Sequence, residues 1–154
     1  MNDIIIFTAS YVYLASIATT AAYFFYLKGR ARRRFVRLSV FALPLSYLTG
    51  LLAGFLYYDP RPFVVLHIVP LFSHVADNGF PSDHALLMGT LAAIVTAFNT
   101  RLGVFLWILA VAVGAARVLA HVHHTIDILA SFGIAIAVTT AADALLKRAA
   151  HPGI

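Results

Sequence analysis

Long uncharged apolar runs, broken by short polar stretches, set the first expectation. Residues 4–27 carry no charge; further apolar runs cover 38–58, 84–98, 102–120 and 125–146. About twenty apolar residues suffice to cross a bilayer core as a helix. The pattern therefore predicts an all-α polytopic bundle of about five transmembrane helices. The decapeptide KGRARRRFVR (28–37) reads as a basic loop between the first two spans. The stretch 59–82, DPRPFVVLHIVPLFSHVADNGFPS, has several prolines and an Asn78-Gly79 pair, which argue against a continuous helix. It is expected to be an interfacial segment between helices 2 and 3, its apolar part lying along the membrane surface. Gly50 and Gly54 have the spacing that lets helices approach closely. Pro44 marks a potential kink in the second span. The start, MNDIIIF, has no basic n-region and is read as a retained span.

Composition sharpens this picture. Of 154 residues, 62% are hydrophobic and 11% charged, with a mean hydropathy of +0.90, whereas soluble domains carry roughly a quarter charged residues. The whole chain, 1–154, is expected to form one membrane domain. Cysteine is absent, which excludes thiolate chemistry and disulfides. The formal charge of +5 does not indicate a nucleic-acid partner, because the arginine run lies between two spans.

The positions of the cations orient the chain. Lys28, Arg30, Arg32, Arg33, Arg34, Arg37, Arg101, Lys147 and Arg148 all fall on one side of a five-span arrangement. The positive-inside rule makes that side cytoplasmic. The N-terminus is then outside and the C-terminus inside. Only Arg61 and Arg117 fall on the outer side, and DPRPF, FPSDH and RVLAHVHHTID converge there.

Ionisable groups at membrane depth point to function by default, and three stretches qualify. In FPSDHALLMG (80–89) a helix begins, and its free backbone N–H groups can bind an anion. Ser82 can add a hydroxyl and His84 can donate or release a proton; a plain capped helix is the alternative. In YDPRPF (58–63), Arg61 sits between two prolines with a guanidinium suited to phosphate oxygens. The alternative there is an arginine snorkelling to headgroups. In GAARVLAHVHHTIDILAS (114–131), His123 and Asp127 are four apart and can pair. A carboxylate on one imidazole nitrogen fixes the tautomer and raises the basicity of the other. Arg117 could hold an anion against that nitrogen. A solvated histidine-rich turn, or a metal site from His121, His123, His124 and Asp127, are the alternatives. Taken together, the groups form the set a phosphoryl transfer requires: charge clamps, a nucleophile and a leaving-group acid. No carboxylate cluster suited to magnesium accompanies them, so metal-independent chemistry without a cofactor is expected.

Arg61-Pro62, then Pro81-Ser82-Asp83-His84, then Arg117, His123 and Asp127 resemble the K-x6-RP, PSGH and SR-x5-H-x3-D motifs of the type 2 phosphatidic acid phosphatase superfamily. PSDH, with DPRPFV and HVADNGFPSDH around it, is similar to the undecaprenyl-diphosphatase branch known for bacitracin resistance. The resemblance implies a phosphohistidine formed on His123 and oriented by Asp127. It implies His84 as leaving-group acid, with Arg61, Arg117 and Ser82 on the phosphoryl oxygens and Asp83 as a subfamily mark at the substrate site. The implied substrate is a polyprenyl diphosphate, whose monophosphate is a carrier for envelope glycan synthesis. Phosphatidic acid, phosphatidylglycerol phosphate or lipid A phosphate are alternatives, as is a non-catalytic membrane protein binding metal or lipid phosphate. The family lysine falls at Gly54, and Ala116 stands where the family has serine. His67, His74, His121 and His124 match no family catalytic position and are expected to be interfacial or structural.

Overall fold

The computed structural model describes residues 1–150; the last four residues of the basic tail lie outside them. Six helices follow in order: α1 (Asn2–Tyr26), α2 (Gly29–Leu56), α3 (Pro62–Val65), α4 (Asp83–Thr96), α5 (Thr100–Leu119) and α6 (Thr125–Ala150). Four of them, α1, α2, α5 and α6, are long and apolar enough to cross a membrane by length and composition. The chain is a multi-pass helical membrane bundle.

The third apolar run forms a helix too short to cross a bilayer core unaided. α4 has 14 residues, about 21 Å at 1.5 Å per residue, against roughly 30 Å of hydrocarbon. Its residues explain why it tolerates this. Ala85, Leu86, Met88, Gly89, Thr90, Leu91, Ala92, Ile94 and Val95 are all buried, on every side of the helix. A helix apolar all round is a core helix, and here α1, α2, α5 and α6 all pack against it. α1 also lies on α5, and α2 on α6. Gly50 is where α2 meets α4: a Cβ there would stand 2.6 Å from Leu86, so the small-residue spacing read from the sequence is a helix contact.

The basic segment 28–37 is not a loop. Only Leu27 and Lys28 separate α1 from α2, and Gly29, at φ +55°, makes the reversal in a region other residues avoid. Arginine is a good helix former, so the cations occupy the first turns of α2. Arg32 lies 4.4 Å over the Phe24 ring and Arg34 4.5 Å over Phe98. Arg34 also reaches Asp143 of α6 at 2.7 Å, and Lys147 reaches the same carboxylate at 2.6 Å. Phe35, Leu38, Ile94, Val95 and Leu106 form the apolar core near this end.

Candidate active site

At the opposite end, the irregular stretch after α2 is organised by one amide. Asn78 donates to the carbonyls of Gly54 (2.8 Å) and Tyr57 (3.1 Å), which the end of α2 leaves unpaired. Its side-chain oxygen accepts from the backbone N–H of Asp59 (2.9 Å) and Phe80 (3.0 Å). Gly79 N–H donates to Asp59 O at 2.8 Å, closing the loop beside the Pro60–Asn78 bridge. The loop then lies across the α5–α6 turn, where Phe63 N–H donates to His121 O and Leu71 N–H to Ala120 O.

This anchoring fixes Arg61, which is 6% exposed. Its Nε donates to Asp77 (2.7 Å) and its Nη1 to Val122 O (2.8 Å). The same Nη1 is 3.2 Å from His123 Nε2. A guanidinium only donates, so His123 Nε2 accepts and Nδ1 carries the proton. Nδ1–H then donates to Gly79 O (2.9 Å) and faces Asp127 Oδ2 (3.2 Å). The tautomer is thus set from both sides: a lone pair on Nε2, a proton on Nδ1.

Asp127 is fully buried and does two things. Its Oδ2 accepts from His124 N–H at 2.8 Å, a carboxylate in the first turn reaching back to the residue before α6. The same oxygen holds His123. His123 lies before the helix, so the pair spans the helix start instead of sitting on a helical face. Burial pushes the His123 pKa below its usual 6.5; the hydrogen bond it donates to Asp127 opposes this, and the nearby Arg117 and Arg61 charges reinforce it. The imidazole is held neutral, as a nucleophile requires.

Arg117, near the end of α5, is 4% exposed and faces no carboxylate at contact distance. Its Nη1 donates to Ala9 O of α1 (3.2 Å), its Nη2 lies 3.2 Å from His74 Nε2, and its Nε has no partner. His84, half-buried in the first turn of α4, meets the Tyr13 ring edge-on at 4.9 Å. Arg61, His74, Asp77, Asp83, His84, Arg117 and His123 all line one cavity of about 240 Å³.

Of the residues singled out from sequence, Arg61, Asp83, His84, Arg117 and His123 therefore share one cavity, with Asp127 directly behind His123. Ser82 is placed differently. It is the N-cap of α4 and fully buried; its carbonyl accepts from Ser131 (2.9 Å) while its hydroxyl has no partner. His74, expected to be interfacial or structural, lines the cavity beside Arg117. His67 is exposed, and His124 turns its Nε2 to Pro60 O at 3.1 Å. Among the described residues no three histidine or acidic side chains are disposed to hold a metal, and the set His121, His123, His124 and Asp127 does not converge. Sequence reasoning missed Asp77, Asn78 and Gly79. The position of the family lysine is closed: a Cβ on Gly54 would stand 2.8 Å from Phe80 O.

Comparisons with known proteins give the family. Residues 36–149 match the family described as the PAP2 superfamily. "Bacitracin transport permease protein BcrC" of Bacillus licheniformis is 30% identical over 132 residues, covering 84% of this chain and 64% of that protein. "Undecaprenyl-diphosphatase BcrC" of Bacillus subtilis (strain 168) is 28% identical over 142 residues, covering 88% and 70%. The chain thus spans about two thirds of the length of these relatives. The crystal structure of Aquifex aeolicus LpxE superposes with a TM-score of 0.74 at 21% identity, over 90% of this chain and 84% of that one, a likeness of fold.

Proposed function

Since the chain belongs to the PAP2 superfamily, we propose that it is a membrane lipid phosphatase removing the terminal phosphate of a polyprenyl diphosphate. One observation carries the chemistry: the neutral His123, with Nδ1–H held by Gly79 and Asp127, presents the Nε2 lone pair to a cavity lined by two buried arginines. Nε2 attacks the terminal phosphorus as the bond to the bridging oxygen breaks, giving phosphohistidine and the lipid monophosphate. Arg61 exchanges its contact with Nε2 for a phosphoryl oxygen, and Arg117 takes another; both neutralise charge that grows in the transition state. His84, on the cavity wall, gives a proton to the departing oxygen. It then takes one from the water that cleaves the P–N bond and frees inorganic phosphate. Asp127 stabilises the positive charge that attack places on the imidazole. The buried hydroxyl of Ser82 stands at the start of α4, where backbone N–H groups favour an anion.

The lipid class rests on the PSDH motif and on the relative named undecaprenyl-diphosphatase. A long isoprenoid tail stays in hydrocarbon while its diphosphate meets the arginines. The cation-rich start of α2 is far from the cavity along the bundle, and by the positive-inside rule it is cytoplasmic. The site then opens to the outer face, as does the N-terminus, since α1 reaches the cavity near its start through Ala9.

Phosphate release from a panel of lipid phosphates and diphosphates in detergent tests the reading. His123→Ala should lose at least about a hundredfold in rate, the scale of a participating catalytic group. Near wild-type turnover by that variant would end the proposal.

A further inference from the structure

We propose that His74 is a phosphate-binding residue of this site: its imidazole, protonated when the anion is held, donates from Nε2 to a phosphoryl oxygen. The inference rests on the phosphatase reading above and adds a group to it. The starting point is that the cationic contact expected at position 54 has no room, because Phe80 O closes it. The cavity nevertheless has a third nitrogen base on its wall besides His84 and His123. His74 lies 6.3 Å from His123 between ring centroids, edge to face, and 3.2 Å from Arg117 Nη2.

The hydrogen-bond roles there have a consequence. Arg117 can only donate, so His74 Nε2 accepts from it, and the proton sits on Nδ1, 3.4 Å from Val75 O. Arg117 cannot turn this Nη2 to a phosphoryl oxygen and keep His74 paired. Once it turns, a bare lone pair on Nε2 would face an anion, which is repulsive; a proton on Nε2 makes the contact a charge-assisted hydrogen bond. The loop holds the ring in reach, since Asp77 three residues on is tied to Arg61 and Asn78 to the end of α2. The charged and titratable groups around the imidazole are Arg61 and Asp77 on the same loop, Arg117 on α5, His84 on α4 and His123 before α6. Burial first, then the two arginines and His123, lower the His74 pKa. Neutral in this environment, it gains a proton when a dianion offsets those cations.

Tungstate, a tetrahedral dianion that carries no proton near neutral pH, is the probe. Calorimetric titration of the purified protein in two buffers of different protonation heat measures affinity and proton uptake together. Wild type should take up protons on binding. His74→Asn should bind about tenfold more weakly, the worth of one charge-assisted hydrogen bond, and lose that part of the uptake. His74→Lys should restore the affinity without the uptake, and His67→Asn should match wild type. Equal affinity and equal uptake in His74→Asn would overturn the proposal; if that variant fails to fold, unchanged uptake in His74→Lys does so. Turnover separates the two readings. If tungstate binding depends on His74 while His123→Ala still hydrolyses lipid diphosphate, the anion contact stands and the phosphohistidine reading falls. If hydrolysis needs His123 and tungstate ignores His74, the reverse holds.

Discussion

At one end of the bundle Arg34 and Lys147 close on the same carboxylate, Asp143, at 2.7 and 2.6 Å. At the other end Arg61 and Arg117 are buried more deeply, yet only Arg61 has a carboxylate in contact, and that partner, Asp77, has a side chain 57% exposed. Asp127, the buried acid there, is committed to His123 and to the start of α6. In the first cluster each cation has a carboxylate in contact. The second leaves Arg117 with no carboxylate in contact, and leaves Arg117 Nε, Ser82 Oγ and Asp127 Oδ1 without partners. A buried charge without a counter-charge is costly, so proteins keep one where something else supplies the missing sign. Similar residue types thus serve two ends: holding helices together at one and, in the proposed reading, meeting an anion at the other.

The contrast can be broken most forcefully at Arg117. Arg117→Ala should lower kcat/KM by about a hundredfold or more, roughly 3 kcal/mol of transition-state stabilisation, whereas Arg34→Ala should stay within about twofold. Comparable losses from the two variants in a phosphate-release assay would erase the distinction. Asp127→Asn sharpens it along the pH axis. Burial and the arginines lower the His123 pKa and the Asp127 hydrogen bond raises it. The proposed nucleophile must be neutral, so activity should fall as pH drops through this pKa. The wild-type acid limb of kcat/KM should therefore lie below the ordinary 6.5. In Asp127→Asn the only raising influence among the acids is removed, so the limb should move lower still, with about a tenfold or greater loss at the plateau; an upward move would contradict the assignment. The smallest effect belongs to the paired end. Asp143→Asn should cost about 2 to 4 °C in thermal unfolding of the detergent-solubilised protein, the scale of a partly exposed ion pair in a chain this long, with turnover unchanged.

Arg61, Arg117, His123 and Asp127 were legible in the sequence because charge within apolar surroundings is conspicuous and because their spacing puts them at span ends. The helical bundle was legible for the same reason: hydropathy reports which segments need lipid or a core. His74, Asp77, Asn78 and Gly79 were not. They sit in an irregular loop with no period to read, and Asn78 acts on backbone groups of residues 54, 57, 59 and 80, partners that only the folded chain defines. The start of α2 was missed because a run of cations reads as solvated loop, although a helix at an interface keeps its arginines equally wet while satisfying its backbone. The short length of α4 was legible, but its central place was not, since hydropathy does not separate a short helix sheathed by others from one facing lipid.

The two tasks of Asp127 have a cost for the molecule's freedom. One oxygen both secures the opening turn of α6 and aims the imidazole, so under the proposed mechanism that turn cannot loosen without disarming the nucleophile. Fraying at a helix end, elsewhere a harmless fluctuation, would then act as an off switch, and catalytic failure on warming should set in before the bundle itself comes apart.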